Sequence, residues 1–256
     1  GKTSGDINAN SIQIITGSTT NIRTIYESAG IKNLGNEALK LTDTSLNASE
    51  LRTLDGYTLS TIDGSSINTL SGSATDLIAV YTSSGIIGLG NETIQISSGN
   101  ATTNQANTIS AKTSGIVTAT ISDGDLFTLS GLKETGHAYT ISILDTSVDA
   151  AALNALDGKT TIAINGASIT SLSGSASDLN TAYASTGISG LGNEKITLSN
   201  TTVDAADLNR LDSRTSGVID ASSVTTITGN RSALNTAYSS PGISGLVIDI
   251  EGITIL

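Results

Sequence analysis

Internal repetition constrains this chain more than any other feature. Five blocks follow one another, most of them closing on a Leu-Asp phrase: residues 1–55, 56–111, 112–157, 158–212 and 213–256. The third block is about nine residues short after Gly131, and the fifth stops early. A unit of this length is one small supersecondary element that cannot bury its apolar face alone, so successive units must stack.

The same phrases recur in order. An apolar-x-x-apolar-x-Gly phrase stands at Ile67–Gly72, Leu126–Gly131, Ile169–Gly174 and Val224–Gly229. A helical phrase follows, with Ile22, Ile25 and Tyr26 in the first block, Leu77, Val80 and Tyr81 in the second, Leu179, Ala182 and Tyr183 in the fourth, and Leu234, Ala237 and Tyr238 in the fifth. Spacings of three and four place those side chains on one helix face. Gly-Ile-x-x-Leu-Gly-Asn-Glu comes next, at Gly30–Glu37, Gly85–Glu92 and Gly187–Glu194, and leads into an alternating strand: Leu39/Leu41, Ile94/Ile96 and Ile196/Leu198. A second helical phrase ends the block at Leu51/Leu54, Leu153/Leu156 and Leu208/Leu211.

Each half-block therefore reads as strand, polar turn and short helix. The pattern predicts a repeat protein: an elongated parallel β-solenoid with a short helix on most coils and 27–28 residues per coil, in one array over 1–256. Ser73-x-x-Asp76, Ser175-x-x-Asp178, Asn47-x-x-Glu50 and Asp204-x-x-Asp207 supply N-caps with an acid at the third helical position, which suits the free amides and the positive end of a helix. Gly30, Gly85, Gly187 and Gly242 follow the first helix, where a left-handed residue is expected. The polar stretch Asn100–Ala111 breaks the pattern and is expected to be an irregular loop.

Composition supports a narrow core. Aromatics are 3 % of residues. Ser and Thr make up roughly 30 %, far above ordinary usage. The apolar set is nearly all Ile, Leu, Val and Ala, which fill thin repetitive cores. A net charge of −11 argues against nucleic acid, which needs Lys and Arg to neutralise phosphates. There is no Cys, so disulfides and thiolate chemistry are excluded. No apolar run is long enough for a membrane span or secretory core in this segment. The chain has no Met, so it is expected to be processed or cut from something longer.

Chemistry-bearing constellations are few, and no catalytic residue is assigned. His137 is the only histidine and reads as a loop residue where the third block is shortened. Asp123 and Asp125, in Ser122-Asp123-Gly124-Asp125, form the best local carboxylate pair, but glycoside hydrolysis needs converging acids beside stacking aromatics. A tight turn accounts for the phrase more simply. No cofactor is required. Calcium takes oxygen ligands, and the candidates for it are Asp63, Asp123, Asp125 and Asp220, with the recurring Asp55, Asp157 and Asp212 behind them; turn and helix capping explains the same residues. Gly-Asn-Glu reads as a turn with left-handed Gly and Asn, and the repeated tyrosines as a packed ladder with hydroxyls at the rim.

The phrases Thr202-Val203-Asp204-Ala205-Ala206-Asp207-Leu208-Asn209 and Gly217-Val218-Ile219-Asp220-Ala221-Ser222-Ser223 resemble the tandem repeats of very large bacterial cell-surface proteins, of the cyanobacterial, S-layer-associated or adhesin-like β-strand-repeat type. The resemblance implies an extracellular, calcium-tolerant structural role in a sheath, stalk or filament, and carries over no catalytic residue. The expected function is thus a structural, adhesin-like repeat forming a surface layer, stalk or filament, not an enzyme. Its expected partners are copies of itself, flanking repeats of the parent chain or cell-surface polysaccharide. The alternative is a carbohydrate-binding or carbohydrate-active β-solenoid. An ice-binding array is set aside because outward Ser and Thr are mixed.

Overall fold

The computed structural model describes residues 5–246; the outer ends of the first and fifth blocks, 1–4 and 247–256, lie outside the described residues. The chain gathers into two compact units. The first holds residues 1–122 and 136–139, the second 123–135 and 140–256.

The first unit runs β1 (Ile7–Asn8), β2 (Ile14–Gly17), α1 (Thr19–Tyr26), β3 (Ile31–Lys32), β4 (Ala38–Leu41), β5 (Ser45–Asn47), α2 (Ala48–Asp55), β6 (Ile62–Asp63), β7 (Thr69–Ser73), α3 (Ala74–Thr82), β8 (Ile86–Ile87), β9 (Thr93–Ser98), α4 (Thr103–Ser110), β10 (Val117–Thr120) and β11 (Ala138–Thr140), the last crossing the unit boundary. Its sheets have the orders β1-β3, β2-β4-β6-β8 and β5-β7-β9-β10-β11. The second unit begins with α5 (Leu126–Leu129) and continues β12 (Ser147–Asp149), α6 (Ala150–Asp157), β13 (Ile164–Asn165), β14 (Ser171–Gly174), α7 (Ala176–Ala184), β15 (Ile188–Ser189), β16 (Lys195–Leu198), β17 (Thr202–Asp204), α8 (Ala205–Asp212), β18 (Ile219–Asp220), β19 (Thr226–Thr228), α9 (Arg231–Ser239) and β20 (Ile243–Ser244). Its sheets are β12-β14-β16-β18-β20, β13-β15 and β17-β19. Strands pair in parallel, and short helices alternate with them.

Register fixes the length of one return of the chain. Ile14 pairs Ala38, Ser45 pairs Thr69, Leu39 pairs Ile62 and Ser147 pairs Ser171. The chain thus comes back to the same sheet after 23 or 24 residues, not the 27–28 expected from halving the sequence repeat. The block does not contain a whole number of returns: two returns of 24 leave a remainder of seven. Equivalent strands of successive blocks therefore fall in different sheets. β2 and β4 lie in one sheet of the first unit, while β7 and β9, 55 positions later, lie in the next. β12 and β14 step likewise to β17 and β19.

Inward residues align at each return. Leu46, Leu70, Ile94 and Val117 are buried neighbours in the first unit, as are Val148, Leu172, Ile196 and Ile219 in the second. Each such aliphatic side chain contributes about 1.5–3 kcal/mol by leaving water. The helices add Leu51 and Leu54, Leu77 and Val80, Leu153 and Leu156, and Leu208 and Leu211. Helices this short are marginal alone, and their ends are capped as the sequence suggests. Ser73 and Ser175 accept the amides of Asp76 and Asp178, Asn47 that of Ser49, and Asp204 that of Ala206.

Three local expectations are corrected. Asn100–Ala111 is not an irregular loop. Its core is α4, which Thr102 and Gln105 open with a full capping box while Ala106 and Ile109 are buried. The Leu126–Gly131 phrase does not match the strand phrase of other blocks; Asp125 caps it and Leu126–Leu129 forms α5. Gly30, Gly85, Gly187 and Gly242 are not left-handed. Three of them are glycine for a steric reason given below.

Candidate functional site

The most distinctive polar chemistry is a buried carboxylate that recurs once per regular block. Glu37, Glu92 and Glu194 are 2, 0 and 0 % exposed. Each stands just before β4, β9 or β16 and takes the hydroxyl of the tyrosine eleven residues earlier. Tyr26 donates to Glu37, Tyr81 to Glu92 at 2.7 Å and Tyr183 to Glu194 at 2.5 Å. The loop glycine closes the carboxylate from the other side: Gly35, Gly90 and Gly192 donate their amides to it. Those glycines have positive φ, as expected, while the asparagines beside them do not. On the next return a threonine hydroxyl donates to the glutamate carbonyl, Thr58 at 2.7 Å, Thr113 at 2.6 Å and Thr215 at 3.0 Å.

No cation accompanies these acids in their printed bonds; neutral donors hold them. Burial works to raise the Glu37 carboxyl, but bonds from Tyr26, Gly35 and Asn36 outweigh it and hold it below the usual range. Burial and then the glutamate bond push the Tyr26, Tyr81 and Tyr183 hydroxyls above the ordinary tyrosine range. A charge-assisted bond of this kind is about twice as strong as a neutral one. Carboxylates so enclosed cannot meet a substrate; they pin the loop between a helix and the next strand. The tyrosine hydroxyls accordingly point to buried glutamates and not to the rim.

His137 occupies the same place in the third block, directly before β11, and is buried instead of lying in a loop. Its Nδ1 accepts the Val117 amide at 3.1 Å, and its ring sits against Tyr139. The signal was present in sequence: His137-Ala138-Tyr139 aligns with Glu37-Ala38-Leu39.

A second device joins successive returns at the helix ends. Asp55, Asp157 and Asp212 accept the hydroxyls of Ser83, Ser185 and Ser240, each 28 residues later, at 2.8, 2.6 and 2.7 Å. Each serine also accepts the amide of Gly85, Gly187 or Gly242. A β-carbon on Gly85 would lie 2.6 Å from Asp55 Oδ1, and closer still to the acid at Gly187 and Gly242. Glycine is there to admit a carboxylate. A third device was missed altogether: Asp43, Asp145 and Asn200 reach from the following return to the first amide of α1, α5 and α7.

The calcium candidates serve turns. Asp63 and Asp220 each accept the amide two residues on, from Ser65 and Ser222, and those bonds hold both carboxyls below their usual range. Asn8 and Asn165 do the same for Asn10 and Ala167. Asp125 caps α5 through Thr128, with Asp123 in the turn before it. Asp63 lies in the first unit and Asp123, Asp125 and Asp220 in the second. Among the described residues no group of three or more His, Asp or Glu is placed to hold a metal ion, and no helix is long and apolar enough to cross a membrane. The second unit carries an open groove of about 710 Å³ between α7 and α8, lined by Asp157, Asn180, Thr181, Asp207, Arg210 and Arg214 among others. No aromatic side chain lines it.

Comparison with protein-family models, curated proteins and solved structures finds no match to this chain.

Proposed function

We propose that this chain is a structural repeat segment, a β-solenoid whose returns stack to hold length and present a Ser/Thr-rich surface in an extracellular sheath, stalk or filament. It is read as adhesin-like and non-enzymatic, as part of the large bacterial cell-surface repeat proteins its phrases resemble. One observation carries the reading. The repeated polar constellations — Tyr with Glu, Asp with Ser and Gly — spend their bonding capacity inside the fold, on fastening one return to another. Catalytic groups need an accessible site, which the enclosed glutamates lack.

Calcium stays in this proposal as a screening ion for the net charge of −11, without a dedicated protein cage. The carbohydrate-binding alternative has one observation in its favour, the groove between α7 and α8 with its hydroxyl and guanidinium lining; the lack of a stacking ring there counts against it. Electron microscopy of the native material, with and without a calcium chelator, tests the leading reading. Ordered filaments or lattices containing the chain are expected. Dispersed particles that turn over or tightly bind a glycan would replace it with the alternative.

A further inference from the structure

The first return of the chain is built like the others on one side and left open on the other. Ile7 is 48 % exposed, whereas the residues at the same repeat position, Ile62, Ile164 and Ile219, are all fully buried. Ile12 is 40 % exposed, whereas Ile67, Ile169 and Val224 are buried to within 3 %. These are core positions that lack a cover. The strands here have a single partner, β1 pairing only β3 and β2 only β4.

Ser28 and Gly30 add a chemical detail. They align with Ser83 and Gly85, Ser185 and Gly187, and Ser240 and Gly242, the pairs that admit an aspartate. At Gly30 a β-carbon would meet nothing nearer than Ser28 Oγ at 3.9 Å. Nothing in this chain crowds Gly30, yet it keeps the glycine and the serine of the carboxylate cradle. The aspartate precedes its glycine by 30 positions at each filled cradle, which for Gly30 is the position directly ahead of Gly1.

We infer that the N-terminal face of the first unit is a socket for one more return of the same repeat, carried by the chain immediately ahead of Gly1 and ending in an aspartate. That return covers Ile7 and Ile12, extends the edges of β1 and β2 with parallel strands, and places its carboxylate against the Ser28 hydroxyl and the Gly30 amide. The inference rests on the stacked-repeat reading and deepens it by naming the partner of this face.

The test compares the chain with a version carrying a copy of residues 188–212 directly ahead of Gly1, so that the copied aspartate precedes it. Thermal unfolding and sedimentation are measured for both, each also as Gly30→Ala and Gly85→Ala. The extended chain is expected to stay monomeric and melt several degrees higher. Gly30→Ala should lower the melting point of the extended chain and leave the shorter one unchanged, while Gly85→Ala lowers both. An extended chain that melts no higher or fails to fold, or a Gly30→Ala effect equal in both, overturns the inference. Self-association of the shorter chain that Gly30→Ala abolishes also overturns it, by making a second copy the occupant. A Gly85→Ala change that is silent in both strikes at the stacked-repeat reading itself.

Discussion

At matching repeat positions the two units fasten neighbouring helices with different chemistry. In the first, Arg52 on α2 forms an ion pair with the Asp76 side chain on α3, both partly in water. In the second, Asn154 on α6 stands at the position of Arg52 and donates instead to the backbone carbonyl of Asp178, at 2.9 Å. Asn180 and Asn209 continue the device, donating to the carbonyls of Asp207 and Ala233 at 3.0 and 2.9 Å. An exposed ion pair is screened by salt and tolerates misalignment; an amide buried against a carbonyl does neither. The same stacking is thus held electrostatically in one unit and by a ladder of fixed hydrogen bonds in the other. What the fold requires is a bond between returns, and it accepts more than one kind.

The largest expected effects should ignore that difference. Leu70→Ala and Leu172→Ala remove fully buried side chains at one repeat position in the two units, and each should cost about 2–5 kcal/mol in chemical denaturation. Values differing by more than the spread of that range would mean the two cores are not equivalent. Next come Tyr81→Phe and Tyr183→Phe, which strip a donor from a buried carboxylate; each is expected to cost about 1.5–3 kcal/mol, again alike in both units.

Below these, the units should part company. Asn154→Ala is expected to cost about 1 kcal/mol at any ionic strength, whereas Arg52→Ala costs less than about 1 kcal/mol and fades in 1 M salt. Equal salt dependence of the two variants would erase the distinction. The smallest signal per group is pH. The Glu37, Asp63, Asp76 and Asp220 carboxyls are held below their usual values by hydrogen bonds, with Arg52 helping at Asp76. A carboxyl lowered in the folded state contributes stability above its unfolded value and loses it as pH falls through the folded one. Melting temperature should therefore be flat near neutrality and decline below about pH 4.5. A melting temperature that rises on acidification would contradict those bonds.

Much of this was legible in the chain. Alternation of Ile and Leu gave the strands, and Ser73, Ser175, Asn47 and Asp204 gave the helix starts, because capping is local chemistry. The return length was not legible. It is set by which strands pair, and a 55-residue repeat says nothing about where a 24-residue return closes. Glu37, Glu92 and Glu194 were read as turn residues because a carboxylate followed by a strand looks exposed until the tyrosine eleven positions earlier is seen to reach it. Thr102 and Gln105 could have revealed α4, whose apolar face of Ala106 and Ile109 is thin enough to pass for a loop. Asp43, Asp145 and Asn200 needed the register, since their targets lie on the previous return.

The remainder of seven has a consequence for anything that touches this protein. Within each unit a given motif, the glutamate of β4 and that of β9 for example, reappears one sheet further round instead of directly above its predecessor. The decoration winds like the thread of a screw while the strands stack straight. A flat partner, whether a crystal plane or a rigid surface, can meet only one copy of any motif in such a unit. A partner that is to read two copies has to bend around it.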